Sequence, residues 1–369
     1  MKLAAPRDAF LARLQLAASI CPTRTPKPIL QDVLVSVLDD GLVEIVATDR
    51  EVSVRTRLGE PTVAGEGRAA LPAATLLSAL KELPGDVVEI AQAGSQHVLT
   101  AGSAVFKLYG DDPVEFPSIP TVDMDKAAVV PLQGFVELCN RTMFAAAKDM
   151  GRYAFNGVYL ELAPERVTLV ATDGRRLAMA TMSCGTGVDE QRSRILPIKG
   201  LVQLMRAAEP EEETLRIDLR ENQVTFGLAS TEIVAQLVEG EFPDFRAVLP
   251  AGHPTHVVLG REELGAAIRR AAVTAGEDSR SVTLGFHEGT LTVSSRQEGL
   301  GESTSDIDID YDGAEVQVRF NPDFLAEYLR TVEEETLTFR FKDGASAGLF
   351  ETPHEDGNES VYVVMPITS

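Results

Sequence analysis

Apolar residues recur along the chain with two spacings, in alternating blocks. In 7–19 (RDAFLARLQLAAS), Phe10, Leu14 and Ala17 fall on one face of a helix. The segments 132–148 and 261–275 repeat the arrangement, with Phe135, Leu138 and Met143 in the first and Leu264, Ile268 and Ala271 in the second. A second set of helices is predicted over 72–83, 199–208 and 322–335, each with a proline near its start: Pro72, Pro197 and Pro322. Between them the period drops to two, broken by Gly, Asp and Pro, which predicts short strands joined by tight turns.

One such stretch, VTLVATDGRRLAMAT at 167–181, reads as two strands around Asp173-Gly174. Almost the same words stand at 43–56 (VEIVATDREVSVRT), with Val46 lying 124 positions before Val170. A third version follows at Val293, 123 positions on, without the Ala-Thr-Asp. Glu115-Phe116-Pro117 returns as Glu241-Phe242-Pro243, 126 positions later. The chain therefore reads as three copies of one unit of about 123 residues, with two helices and about eight strands each. The period is too long for a solenoid. Proline-rich connectors place the domains at 1–126, 127–253 and 254–369. The expected fold class is α+β, with two helices packed on antiparallel sheets in every domain.

At 369 residues the chain is too long for one ordinary core, which agrees with three domains. No apolar run reaches the ~18 residues of a membrane span, and MKLAAPRDAF has one early lysine and no apolar core of signal-peptide length. The expected place is the cytoplasm. Cys21, Cys139 and Cys184 are scattered and odd in number, so neither a disulfide framework nor a zinc site is expected. His253 and His256 flank Pro254 and read as a solvated linker rather than metal ligands. No nucleophile elbow, phosphate loop or metal spacing is present, and Asp173 is a turn residue before it is a catalytic carboxylate. The enzyme alternative would rest on Asp173 with Arg175 or Arg176.

The formal net charge of −22 opposes gripping nucleic acid by surface charge. Yet the helices 7–19, 132–148, 199–208 and 261–275 together carry +5, leaving −27 for the remainder. Surface helices that simply mix charges account for this, and so do helices that line a phosphate-facing surface. Two copies of the chain would supply twelve helices. At ~9 Å between neighbours, twelve in a circle give a diameter of roughly 35 Å, wide enough for a duplex.

Five segments, in order and from end to end, carry a resemblance: RTPKPIL (24–30), FNGVYLE (155–161), ATDGRRLA (171–178), LVEGEFPDFRAVLP (237–250) and YVVMPI (362–367). Together they resemble the bacterial DNA polymerase III β subunits, the sliding clamps. The resemblance implies a head-to-tail homodimer closed into a six-domain ring around double-stranded DNA. It implies a processivity factor without catalytic activity, metal or cofactor. Its partners would be DNA, a second copy of itself, the clamp loader, the replicative polymerase and other proteins bearing clamp-binding peptides, with no membrane.

Carried over residue by residue, the resemblance assigns a peptide pocket to Phe155, Thr172, Gly174, Arg175, Arg176, Leu177, Pro243, Val248, Val363, Met365, Pro366 and Ile367. It assigns DNA-facing positions to Arg24, Lys148, Arg152, Lys199, Arg206 and Arg270, and the dimer interface to Phe106 and Val273. Arg175 stands where histidine is frequent in the family, and Ala74 where an arginine is. Ala104 and Val105 occupy a stretch where interface arginines are common. A scaffold of the same fold that does not encircle DNA is the second alternative.

Overall fold

The computed structural model describes residues 1–369 apart from 60, 123, 149–152, 251, 277–279, 353–357 and 369. Among the described residues six α-helices form where the 3.6-residue spacing predicts them: α1 (Arg7–Ala18), α2 (Ala73–Glu82), α3 (Leu132–Thr142), α4 (Ile198–Ala207), α5 (Arg261–Ala272) and α6 (Pro322–Leu329). Pro6 and Pro72 precede the first residues of α1 and α2, and Pro322 opens α6, places where no N–H is needed. Asn321 caps α6, its side chain accepting from the Asp323 N–H at 2.9 Å.

Two helices stop six residues short of their sequence pattern. The 132–148 stretch stops at Thr142 and passes into a 3₁₀ turn, Met143–Ala145, so Met143 leaves the helical face. The Thr142 hydroxyl takes the Leu138 carbonyl at 2.7 Å, which draws the backbone out of regular helix. The 322–335 stretch ends at Leu329, where the N–H and hydroxyl of Thr331 both bond the Tyr328 carbonyl, at 2.9 and 2.8 Å.

Twenty-five strands are present among the described residues, nine, eight and eight in the three repeats. His256 lies in one of them, Thr255–Gly260, opposite Arg340; only His253 keeps the linker position expected of both. The strands form four antiparallel sheets, and the sheets do not stop at the repeat boundaries. Two compact units result, each containing an outer repeat and part of the middle one: Met1–Gln133 with Lys199–Leu237, and Gly134–Ile198 with Val238–Ser369.

In the first unit, strands of the second repeat continue a sheet of the first: Thr231–Gln236 pairs with Val52–Leu58, with Ile233 opposite Val54. The result is an eight-stranded sheet, beside a five-stranded one that ends on Ala104–Tyr109. Ser19 on the end of α1 bonds Gln203 of α4 at 2.8 Å, and Arg13 pairs with Glu209 at 2.9 Å. The core beneath α1 and α2 holds Leu3, Phe10, Leu14, Leu76 and Leu80, all fully buried.

The second unit repeats the device. Arg176–Ser183 pairs with Glu359–Val364, with Leu177 opposite Val363, to make another eight-stranded sheet. Its four-stranded companion ends on Gly301–Asp308. Rings fill the third repeat: Phe286 stacks on Phe341 at 4.4 Å and Tyr328 on Tyr362 at 4.5 Å. Arg141 of α3 is buried and bonded to Glu137 at 2.9 Å, Glu334 at 2.7 Å and the Thr352 hydroxyl at 3.2 Å.

His97 lies buried in the five-stranded sheet, between Gln92 and Leu108 on its neighbours, with neither ring nitrogen bonded. Burial, then the nearby amino terminus, lowers its pKa below the ordinary histidine value. Because the depressed group is a base, its full stabilising effect holds above ~6.5 and fades as pH falls below that value. We expect His97→Leu to flatten the loss of stability between pH 7 and pH 5. Urea titrations at the two pH values check this; an unchanged pH slope refutes it.

Candidate functional site

The Asp-Gly turn at 173–174 is built from its own side chains. Asp173 Oδ1 accepts from the N–H groups of Arg175 and Arg176 at 2.9 and 3.1 Å, and Gly174 takes φ +85°. In the first repeat Asp49 does the same for Glu51 and Val52, and Arg50 is held at φ +80° where glycine would sit without strain. Both aspartates are turn formers, as the sequence suggests.

Beyond the turn, the strand Arg176–Ser183 shows alternate residues to opposite sides of its sheet. On one side Val170, Leu177, Met179, Leu349, Val361 and Val363 form a small buried cluster separate from the main cores. The connector 242–249 lies across it: Phe245 is part of the cluster, and Phe242, Leu249 and Tyr159 pack against it. Tyr159 and Phe242 stack at 4.8 Å, and Phe155 meets the Phe242 ring edge-on at 6.5 Å. Arg246 anchors the connector through two bonds to Glu161, at 3.0 and 2.5 Å.

The structure brings some of the assigned pocket residues together and separates others. Leu177 and Val363 share the cluster. The Met365 N–H bonds the Arg175 carbonyl at 2.9 Å, which sets the half-exposed Met365 beside the turn. Thr172 is buried, its hydroxyl bonding the Arg176 carbonyl at 2.6 Å. Pro243 and the exposed Val248 belong to the connector, and Pro366 follows Met365. Ile367 is held elsewhere, by the Arg319 carbonyl at 2.8 Å.

Phe155, Arg175 and Arg176 line a neighbouring cleft of about 490 Å³ with Asn321 and Phe324. Arg176 is buried there: it pairs with Asp173 at 3.0 Å and Glu327 at 2.6 Å, and its guanidinium stands 4.4 Å from the Phe324 ring. Burial raises the Glu327 carboxyl, but its bonds from Arg176 and Lys148 outweigh that and hold it below the usual carboxylate range. Arg175 is exposed and has no ion pair among the described residues.

Sequence reasoning missed Tyr159, Val170, Met179, Phe242, Phe245, Leu349 and Val361. Period-two alternation was the available signal, since Leu177 with Met179 and Val361 with Val363 lie two apart on facing strands.

The assigned DNA-facing cations are unequal. Arg24 and Arg206 are exposed. Lys199, at the start of α4, is ion-paired with Asp49, and burial lowers its pKa. Lys148 pairs with Glu327 at 3.1 Å and lines the cleft that holds Arg175. Arg270 of α5 donates to the Ser305 hydroxyl at 2.9 Å. Arg152 lies outside the described residues. Of the two interface residues, Phe106 is half-buried against the first core and Val273 is 76 % exposed at the end of α5. No cluster of three or more metal-ligating side chains occurs among the described residues, and none of their helices is long and apolar enough to cross a membrane.

These features recur in known proteins. The N-terminal, central and C-terminal domain families of the DNA polymerase III β subunit match residues 1–120, 129–244 and 246–368. A β sliding clamp of Pseudomonas aeruginosa is 30 % identical over 98 % of both chains. The chain belongs to the DNA polymerase III β subunit family, the β sliding clamps. A clamp of Pseudomonas putida is 31 % identical, again over 98 % of both chains. Among solved structures, the P. aeruginosa β subunit superposes with a TM-score of 0.92 at 29 % identity, and a Thermotoga maritima β subunit with 0.91 at 28 %. The first covers all of both chains; the second covers all of this chain and 99 % of its own. A P. aeruginosa sliding clamp bound to griselimycin gives 0.94 at 28 %, over all of both chains. The three-domain clamp fold described above is the family's, and the chain is a non-catalytic processivity factor of a replicative polymerase.

Proposed function

We propose that two copies of this clamp close head to tail into a ring that encircles duplex DNA in the cytoplasm and tethers its partners through the pocket of the second repeat. The internal repetition carries the reading. Within the chain, the last strand of one half-sheet joins the hairpin of the preceding repeat twice, as Thr231–Gln236 on Val52–Leu58 and as Glu359–Val364 on Arg176–Ser183. One half-sheet and one hairpin remain without such a partner: the edge strands Ala104–Tyr109 and Gly301–Asp308. A second copy completes the series by joining them. An open edge with exposed Val105 and Tyr109 is a template for another strand.

The repeat also supplies the register. Glu232 pairs with Arg55 in the first junction. Val105 holds the place of Glu232, one residue past the first pair after a two-residue turn, and Ser305 holds that of Arg55, opposite Val293 as Arg55 is opposite Val46. Val105 therefore faces Ser305, and Lys107 faces Ser303. Phe106, behind them, and Val273 stiffen the joint. Domains at 1–126, 127–253 and 254–369 follow, three per copy.

Arg24, Lys148, Arg152, Lys199, Arg206 and Arg270 contact phosphate without reading sequence. Since Lys148 and Lys199 already have carboxylate partners, Arg24 and Arg206 bear more of the contact. Weak, salt-sensitive contact suits a sliding ring. Extended peptides of the loader, polymerase and other partners seat an apolar residue against Leu177, Val363 and Met365, the Met adapting to different shapes.

Retention on DNA tests the ring. The protein is placed on a nicked circular plasmid with a clamp loader and ATP, and gel filtration is run before and after a single cut of the plasmid. Retention on the circle with loss from the cut plasmid is expected. Equal retention on both would mean ordinary binding and no encirclement.

A further inference from the structure

The hairpin face that builds the apolar cluster of the second repeat exists in the first with different chemistry. Leu34, Val46 and Arg55 lie side by side there, as Tyr159, Val170 and Met179 do in the second. The connector crosses both faces, and EFPSI sets Phe116 and Ile119 where EFPDF sets Phe242 and Phe245. Leu34, Val46, Ala70 and Phe116 form a buried cluster of their own, with Ile119 against it. Beside it opens a cleft of about 500 Å³ with Val114, 83 % exposed, on its lip.

We propose that this cleft is a second peptide site, taking an extended partner segment that carries an apolar side chain close to a carboxylate. The proposal rests on reading the second-repeat pocket as a peptide site. Charge selects the ligand. Arg55 is consumed by Glu232 at 2.8 Å, Glu44 at 3.8 Å and the Ile119 carbonyl at 3.1 Å. Glu44 in turn also holds Arg57, at 3.1 Å. Asp112 on the connector turns back to the Val114 N–H at 2.9 Å. Arg68 alone among the charged lining residues has no ion pair or hydrogen bond among the described residues, and it is exposed.

The lining charges, Glu44, Arg55 and Arg68, therefore leave a cationic excess in a chain of net −22. Backbone geometry selects an extended shape. Arg68 lies on Gly67–Pro72, the last strand of its sheet, whose free side is bridged only at Ala70 by Asp111 among the described residues. A segment running along that strand places an apolar side chain over Phe116 and Val114 and its carboxylate at Arg68. The second-repeat cluster has Met179 and Val361 where this cleft has Arg55 and Glu232, so the two sites prefer different peptides.

The test uses the full chain, a chain lacking Met365–Ser369, and Arg68→Glu in both. The probe is a fluorescent ten-residue Gly/Ser peptide with a Glu-Ser-Phe core, and its Lys-Ser-Phe counterpart, followed by anisotropy. We expect the shortened chain to keep one binding event, weakened about tenfold or more by Arg68→Glu and by the lysine peptide. Binding to the full chain that vanishes on shortening would overturn the proposal and leave the second-repeat pocket as the one peptide site. Binding by the shortened chain that ignores Arg68→Glu, or no binding by any chain, would also overturn it. Binding that ignores shortening but falls with Arg68→Glu would uphold this site as the one that takes this peptide.

Discussion

Lys107→Pro is expected to turn the proposed dimer into monomers without unfolding either copy. Ala101 pairs with Ala104 across the two-residue turn Gly102-Ser103, so alternation along the strand turns the N–H groups of Val105, Lys107 and Tyr109 away from their own sheet. Proline at 107 leaves the bonds to the neighbouring strand intact. It deletes one donor from the free edge and sets a ring against the incoming strand. The lost edge donor and its unmet acceptor, about 1–3 kcal/mol, weaken association roughly 5- to 150-fold. Sedimentation velocity at micromolar concentration reads the result, with Lys107→Ala as the control that keeps the backbone donor. A proline variant that sediments as wild type would show that this edge is not the joint.

Arg141→Ala is expected to destabilise the second compact unit strongly. Arg141 is 7 % exposed in its side chain and satisfies Glu334, itself 20 % exposed, together with Glu137 and Thr352. Removing the cation breaks its buried ion pair with Glu334, at a cost of about 3 kcal/mol. For a unit of this size the calorimetric transition should fall by roughly 10 °C. Replacing both partners, as Arg141→Met with Glu334→Leu, should recover most of the loss, because the ion pair is then replaced as a whole by apolar packing. A double variant no better than the single one would assign the effect to lost packing instead.

The contrast between these residues shows what a sequence discloses. Helix faces such as Phe10, Leu14 and Ala17 were legible because a period of 3.6 depends on neighbours in the chain. The threefold repeat was legible because Val46, Val170 and Val293 keep their surroundings. The ends of α3 and α6 were not, since threonine hydroxyls at 142 and 331 decide them by competing for single carbonyls. Nor were the ion pairs of Lys148 and Lys199, whose carboxylates lie 179 and 150 residues away. The proposed peptide pocket was assigned through a resemblance and therefore as a roll of positions. Its apolar body, with Phe245 and Val361, emerges only when strands far apart in sequence are set in register.

That the sheets run across the repeats has a consequence for the order of synthesis. Arg55 waits for Glu232, which is 177 residues further along the chain. At ~5–20 residues per second that is a delay of roughly 10–35 s on the ribosome, with Val52–Leu58 the raw margin of an unfinished sheet. Arg55 and Arg57 on that margin discourage the wrong neighbour meanwhile, as charges on exposed strands do. Arg176–Ser183 waits a comparable time for Glu359–Val364 and has no charge past its first residue. A nascent chain arrested between the two is therefore most prone to aggregate through its second hairpin.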